Sequence, residues 1–152
     1  MKITIHRSGW LLIAVLIAFS FRNLGLMRGV IAGLLIAVSL LIHEIAHTLA
    51  ARMFGVRVHG IGLKLVGAYT HRKYASKPLH DVVIAAAGPL SNLMLTFGLF
   101  FIPEIGIRLA AWLAVWNFGI ALFNLIPLPG TDGYRILATI FWPDVAIYNT
   151  AK

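Results

Sequence analysis

Cysteine is absent from this 152-residue chain, and charged residues are scarce. Without thiols the chain can form neither disulfide bonds nor thiolate metal sites, so any bound metal must be held by His, Asp or Glu. Charged residues make up only 12% of the sequence, whereas hydrophobic residues make up 60%. This composition excludes an ordinary soluble domain and predicts an integral membrane protein.

Acidic residues are few: 5 Asp and Glu stand against 13 Lys and Arg, which gives a net charge of +8. In a soluble protein this charge would suggest nucleic-acid binding, but the sequence has no basic face with interleaved aromatic residues. We therefore expect no nucleic-acid partner. In a membrane protein, Lys and Arg in short loops report orientation and attract anionic lipid, so the lipid bilayer is the expected partner.

Long apolar blocks divide the chain, which we interpret as a single domain, residues 1–152, of the all-α multi-pass membrane class with about four transmembrane helices. The alternation of Ile61 and Leu63 with glycines and Lys64 predicts short strands, with a turn at Gly67, between the second and third helices. The predicted segments are an N-terminal short helix and loop (1–28), a second helix (29–54), the β-hairpin loop (55–80), a helical hairpin (81–126), and a Pro- and Gly-rich segment with a tail of unassigned placement (127–152).

The distribution of cations predicts the orientation. With four crossings, the N-terminus, the β-hairpin loop and the C-terminal segment share one side of the membrane. Only Arg22, Arg28 and Arg108 fall on the opposite side, which leaves ten of the 13 Lys and Arg on the first. The cation-rich side of a membrane protein is the cytoplasmic side, so we expect a cell (inner) membrane protein with that face in the cytoplasm.

The second helix contains the segment LLIHEIAHTLAARMF, residues 40–54, which places three polar side chains among apolar ones. His43 and His47 share one helix face and can present two nitrogens to a single ion, with Glu44 beside them. In this H-E-x-x-H pattern, two imidazoles bind zinc and the carboxylate accepts a proton from an activated water. Alternatively, each residue hydrogen-bonds across a helix interface. Because an acidic residue at a helix centre costs about 2.5–3.5 kcal/mol on insertion scales, three polar residues together favour a functional site.

A zinc ion with two His ligands needs a third protein ligand, and a catalytic ion keeps one position open for water. The candidates are the remaining acidic residues and histidines: Asp81, Glu104, Asp132, Asp144, His6, His59, His71 and His80. Glu104 lies on the far side, Asp144 lies in the tail, and the histidines fall in aqueous or interfacial regions. Asp81 begins a helix, where capping and the helix dipole give it a better role.

Asp132 remains, in the segment NLIPLPGTDG at the cytoplasmic end of the fourth block. Pro127 and Pro129, together with two glycines, prevent a regular helix there and leave backbone polar groups without helical partners. Such backbone is tolerated near membrane depth only where protein or a watery cavity satisfies it. A polar cavity is also what an activated water requires.

Three segments together resemble the signatures of the site-2 protease family, the intramembrane zinc metalloproteases of peptidase family M50, in its compact sporulation-protease-like form. They are HEIAH (43–47), AAAGPLSN (85–92) and NLIPLPGTDG (124–133), and the resemblance covers residues 29–137. Thr131 and Tyr134 depart from the family pattern, in which apolar residues or glycine are frequent. This departure affects local packing and leaves the ligand set intact.

The resemblance implies one Zn²⁺ held by His43, His47 and Asp132. It implies Glu44 as the general base, and Asn124 as a catalytic group that holds the substrate carbonyl or its oxyanion. It also implies that the segment after the second helix is a short membrane-associated β-hairpin, whose edge can pair with an extended substrate. The supporting or substrate-facing positions are Asn92, Gly60, Gly62, Pro127 and Pro129.

The predicted function is zinc-dependent hydrolysis of a peptide bond in or near the transmembrane segment of a membrane protein substrate, as in regulated intramembrane proteolysis. The alternative is a membrane protein that binds or transports metal without hydrolysis. That alternative explains the two histidines and Asp132 but gives Glu44 no task distinct from ligation. The sequence leaves the identity of the substrate and the oligomeric state open.

Overall fold

The structure, a computed structural model, describes residues 2–64, 67–72, 77–102 and 106–142. It consists of long helices, one short helix and a small sheet. The helices are α1 (Arg7–Leu24), α2 (Leu26–Met53), α3 (Pro78–Gly98), α4 (Ile107–Leu125) and α5 (Asp132–Phe141), and a 3-10 turn (Leu99–Phe101) extends α3. The strands are β1 (Lys2–Ile5), β2 (Val58–Lys64) and β3 (Gly67–Arg72).

Within these described ranges, four helices, α1 to α4, are long and apolar enough to cross a membrane. They carry large apolar side chains on their outer faces, such as Met27, Met53 and Val115, each at least 70% exposed. Exposed apolar surface of this kind suits contact with lipid. The predicted multi-pass membrane class is therefore confirmed.

The helices α1 and α2 approach each other at backbone distance. Gly25, at φ +80, separates them and permits a reversal that a residue with a side chain adopts only with strain. One turn apart on α2, Gly29 and Gly33 face α1, where an added Cβ at Gly33 would lie 2.6 Å from the Cα of Ile17. Small residues one turn apart let membrane helices pack this closely. The first helix was expected to be short. It runs for 18 residues and packs closely against α2.

The sheet has the order β1-β2-β3. β2 and β3 form the predicted antiparallel hairpin, whereas the parallel pairing of β1 with β2 was not predicted. β1 pairs with Gly60 and Gly62 on one side of β2, and β3 pairs with both on the other. Because both backbone edges of Gly60 and Gly62 are paired within the sheet, an extended segment could add only to the outer strands β1 and β3.

The helix α2 is central and contacts α1, α3 and α4. One buried cluster joins Leu16, Ile36 and Leu113 from α1, α2 and α4. A second cluster, Ala51 with Ile84, lies between the C-terminal part of α2 and α3. The predicted tail of unassigned placement lies partly outside the described residues, and its described part forms α5, which packs on α3. This packing directs the N-terminus of α5 towards the polar face of α2.

Candidate metal centre

Three side chains converge where α2 meets the N-terminus of α5. His43 and His47 are buried on α2, and Asp132 is the first residue of α5. The two Nε2 atoms lie 3.1 Å apart. The Asp132 carboxylate contacts both rings, with Oδ2 at 3.1 Å from Nε2 of His43 and Oδ1 at 3.2 Å from Nε2 of His47. The structure thus brings together the three residues that the sequence suggested as metal ligands.

This triangle has the dimensions that a tetrahedral zinc site requires. With zinc–ligand distances of about 2.0–2.1 Å, neighbouring ligand atoms in a tetrahedron lie about 3.3 Å apart. The observed separations of 3.1 to 3.2 Å are close to this value. A small cation therefore fits among the three side chains.

The other nitrogen of each ring is already committed. Nδ1 of His47 donates to the carbonyl oxygen of Ile84 at 2.7 Å, and Nδ1 of His43 donates to Oδ1 of Asn92 at 2.6 Å. Because these oxygens accept, each Nδ1 carries a hydrogen, and the neutral form of each ring leaves Nε2 as an electron-pair donor. Two such nitrogens and a carboxylate are a donor set that suits zinc.

The surroundings of the Asp132 carboxylate lower its pKa and so favour its ionised form. Burial alone would raise the pKa of Asp132, but its hydrogen bonds to His43 and His47 and the positive charge of those rings when protonated lower the pKa to about 2. Asp132 is therefore ionised at neutral pH. The ionised carboxylate is the form that binds a metal ion, so no proton has to leave Asp132 when a metal binds.

Glu44 lies beside the convergent ligands. It is buried, at 6% exposure, and its carboxylate and the two imidazoles can offer ligand atoms that all lie within 4.8 Å of one another. It also lines the same cavity as His43. A carboxylate in this position is close enough to exchange a proton with a water held at the centre.

The backbone of Gly88 on α3 lies directly against both rings. An added Cβ would overlap Nε2 of His47 and would lie 2.5 Å from Nε2 of His43. The sequence did not predict a role for this glycine, which lies in the segment AAAGPLSN. The signal that could have found it is a glycine after three alanines in the predicted helical hairpin, a pattern that permits close helix packing.

The link between α4 and α5 fixes the position of Asp132. Pro127 and Pro129 lie in this link, which is not helical, as predicted. Thr131 then caps α5, because its hydroxyl accepts from the amide of Tyr134 at 3.3 Å and donates to the carbonyl of Leu128 at 2.8 Å. This departure from the family pattern thus begins the helix that carries the carboxylate.

Gly133 completes this arrangement. An added Cβ would overlap the carbonyl oxygen of Leu125 and would lie 2.5 Å from its carbon, so α5 begins in direct backbone contact with the end of α4. Only glycine permits this approach. The Asp-Gly pair therefore combines a carboxylate with the close packing that aims it.

Asp81 has a role beyond the predicted one. It lies in the first turn of α3, where it meets the helix dipole, but the N-cap residue is Lys77, whose side chain makes no capping bond. Asp81 is instead buried and accepts two hydrogen bonds from Arg135 of α5, at 3.0 and 3.2 Å, and a third from Thr139 at 3.4 Å. Its position in the first turn fits the predicted interaction with the helix dipole, and the carboxylate also forms a bidentate ion pair that fastens α5 to α3.

The two predicted asparagines differ in their contacts. Asn92 is fully buried and contacts His43 directly, as described above. Asn124 lines the cavity, and its Nδ2 donates to the carbonyl of Ile120 at 2.9 Å. An amide nitrogen carries two hydrogens, so one N–H of Asn124 remains for a substrate oxygen. Sequence reasoning missed Asn117, whose side chain contacts Asn92.

A cavity of about 670 Å³ leads to this centre between α1, α2 and α4. Its walls are largely apolar and include Leu16, Trp112 and Phe123, whereas His43, Glu44 and Asn124 supply polar groups. Apolar walls with a few polar groups are typical of a binding site. The Glu104 and Asp144 alternatives for the third ligand lie outside the described residues.

The chain is similar in sequence to known proteins that are described as zinc metalloproteases. The sequence profile of peptidase family M50 matches residues 31–106. The chain is similar to YwhC of Bacillus subtilis, whose name describes a zinc metalloprotease, with 30% identity over 84% of this chain and 75% of YwhC. It is also similar to Rip3 of Mycobacterium tuberculosis, which carries the same description, with 32% identity over 88% of this chain. The chain spans only 40% of the length of Rip3.

Among solved structures, the fold is similar to that of the site-2 protease from Methanocaldococcus jannaschii. The TM-score is 0.76 and the identity is 27%, over 99% of this chain and 74% of that chain. The similarity therefore extends over the helices and the sheet together.

Proposed function

The chain belongs to peptidase family M50, and we propose that it is a zinc-dependent intramembrane endopeptidase that cleaves in or near a transmembrane segment of a membrane protein. The observation that carries this proposal is the triangle of ligand atoms, 3.1 to 3.2 Å on a side, within a bundle of membrane-spanning helices. His47 is six residues from the end of α2, which places the centre about 9 Å inside that end at 1.5 Å per residue.

In this mechanism His43, His47 and Asp132 hold the zinc ion. Bound zinc would supply the Lewis acidity that activates a water molecule and polarises the scissile carbonyl. Glu44 accepts the proton of the attacking water and returns it to the leaving nitrogen. Asn124 donates its remaining N–H to the substrate oxygen, where negative charge develops.

The substrate approaches through the apolar cavity between α1, α2 and α4. A transmembrane helix hides its carbonyls in internal hydrogen bonds, so the segment must unwind locally before attack. The outer strands β1 and β3 can pair with the unwound segment and replace some of the bonds it loses. Because β1 joins the hairpin, the N-terminus shares its side of the membrane, and the excess of cations there supports a cytoplasmic location of the centre.

The test separates hydrolysis from metal transport. Purified protein in a bilayer is mixed with a peptide of about 20 apolar residues that contains a central Pro-Gly, and cleavage is followed by mass spectrometry. Glu44→Gln should retain one zinc per chain while its cleavage rate falls by about 10²- to 10⁴-fold, the usual contribution of a general base. A variant that loses zinc, or one that keeps its cleavage rate, would contradict the role of Glu44.

Ligand variants test the metal assignment separately. The single variants His43→Ala and Asp132→Ala should each abolish stoichiometric zinc binding, because the two protein ligands that remain in each variant are too few to hold the ion. His59→Ala is the matched control, since His59 is exposed on β2, and it should retain zinc. If the protein carries zinc ions through vesicles but cleaves no peptide, the transport alternative replaces the protease.

A further inference from the structure

A chain of buried amides runs from His43 into the helix bundle. Asn92 of α3 and Asn117 of α4 are at most 1% exposed, and Ser39 of α2 is 7% exposed. Nδ2 of Asn92 donates to Oδ1 of Asn117 at 2.8 Å, and Nδ2 of Asn117 donates to Oγ of Ser39 at 3.2 Å. Polar residues inside a membrane bundle either join helices or serve a site, and the direction of these hydrogen bonds distinguishes the two roles.

The direction of these hydrogen bonds is fixed by Asn117, at the end of the amide series that is farther from His43. Nδ2 of Asn117 also contacts the backbone carbonyl of Leu113 at 2.8 Å, and a carbonyl can only accept. Asn117 must therefore place its nitrogen towards Leu113 and its oxygen towards Asn92. Asn92 must in turn place its nitrogen towards Asn117 and its oxygen towards His43.

This direction matters because an amide is nearly symmetric in shape. If Asn92 rotated by half a turn, it would present N–H to Nδ1 of His43, and that nitrogen would have to give up its hydrogen. The hydrogen would then reside on Nε2, where the metal must bind. By contrast, His47 donates to the backbone carbonyl of Ile84, which cannot rotate in this way and needs no further support.

We propose that Asn117 is a positioning residue that holds the Asn92 amide in one orientation and thereby keeps the hydrogen of His43 on Nδ1, leaving Nε2 for the metal. The inference rests on the metal centre of the proposed function. It predicts that Asn117, which contacts no ligand atom, controls zinc affinity through the polarity of one hydrogen bond. A purely structural role would not depend on that polarity.

The test is zinc affinity, measured by competition with a chelator in detergent. Asn117→Leu should weaken zinc binding by about 10- to 100-fold, the usual effect of losing a partner of a ligating histidine. Asn117→Asp should retain zinc affinity, because a protonated carboxyl can accept from Asn92 and donate to the carbonyl of Leu113. Asn23→Leu is the control, since Asn23 bonds only its own helix, on α1, and it should leave zinc affinity unchanged.

The same Asn117 substitution in an Asn92→Asp variant tests whether the polarity of the hydrogen bond to His43 is what matters. In Asn92→Asp both side-chain oxygens accept, so rotation no longer changes what faces His43. Asn117→Leu should then cause no further loss of zinc affinity. An equal loss in both backgrounds, or no loss in either, overturns the proposal and leaves Asn117 as packing.

The tautomer of His43 can also be read without zinc. In metal-free protein with ¹⁵N-labelled histidine, the ring nitrogen shifts of His43 should show a hydrogen on Nδ1, which faces Asn92, and Asn117→Leu should lower the share of rings that carry it. A bare Nδ1 in the unaltered protein would refute the inference. If the protein binds no zinc at all, the proposed function fails, and this measurement still decides the role of Asn117.

Discussion

Gly88→Ala tests whether α3 sets the spacing of the metal centre. The new methyl group would lie 2.5 Å from Nε2 of His43 and closer still to His47. Ordinary contact begins near 3.4 Å, so the rings or the helix must shift by about 1 Å. The rings cannot retreat freely, because their Nδ1 atoms are held at 2.6 and 2.7 Å by partners on α3 itself.

The size of this shift predicts the size of the effect. Metal sites tolerate ligand displacements of about 0.2 Å, so a shift of about 1 Å should weaken zinc binding by at least the 10- to 100-fold typical of a lost supporting contact. Overpacking should also lower the free energy of unfolding by about 1–3 kcal/mol. Both effects come from one methyl group that adds no charge and no hydrogen bond.

The assay compares Gly88→Ala with Gly98→Ala in the same helix. An added Cβ at Gly98 meets nothing within 4 Å, so this control should bind zinc normally and gain up to about 1 kcal/mol from helix propensity. Zinc affinity is measured by chelator competition, and stability by thermal unfolding in detergent with excess chelator. Equal zinc affinities for the two variants would refute the close approach of α3 to the rings.

Two further predictions concern the supports of the centre and its substrate. Arg135→Gln removes the bidentate ion pair from the buried carboxylate of Asp81, so it should destabilise the fold by about 3–5 kcal/mol and lower zinc occupancy, measured by thermal unfolding and metal analysis. Arg28→Gln, exposed on α2, should change neither. In the substrate, a proline or glycine placed near the scissile bond should raise the cleavage rate, because it reduces the cost of unwinding; an unchanged or lower rate in a mass-spectrometric time course would count against strand-like binding.

The parts of the site that the sequence predicts are those encoded by local patterns. His43 and His47 share a helix face by their spacing alone. The prolines in the segment before Asp132 predict that this segment is not helical. In these cases the residues that determine the geometry are close together in sequence.

The features that the sequence did not predict depend on contacts between distant segments. Arg135 reaches Asp81 across 54 positions, and no periodicity in either segment specifies that pairing. Asn117 is one of two asparagines in the otherwise mostly apolar helix α4, and its partner Asn92 lies on a different helix. The pairing of β1 with β2 likewise joins the N-terminus to residues near position 60. Such contacts follow from helix packing, which local patterns do not specify.

One helix connects all of these supports. α3 supplies no metal ligand, yet it contributes the four groups that fix the ligands: the carboxylate that fastens α5, the carbonyl and the amide that accept from the two histidines, and the glycine that approaches both rings. These groups belong to Asp81, Ile84, Asn92 and Gly88. Their spacing of three, four and four residues places them within about 80° of one helix face at 3.6 residues per turn.

Because a single face of α3 holds every ligand, the three ligands are not independent of one another. A rotation or translation of this helix would disturb both histidines and the carboxylate together, so a variant that moves α3 at one support also displaces the other supports. We therefore expect double variants on this face to change zinc affinity by an amount that differs from the sum of the single effects, as neighbouring groups in one network do. If the effects of the single variants on zinc affinity simply add, each ligand is held independently of the others. In that case α3 only contacts the metal centre and does not determine its geometry.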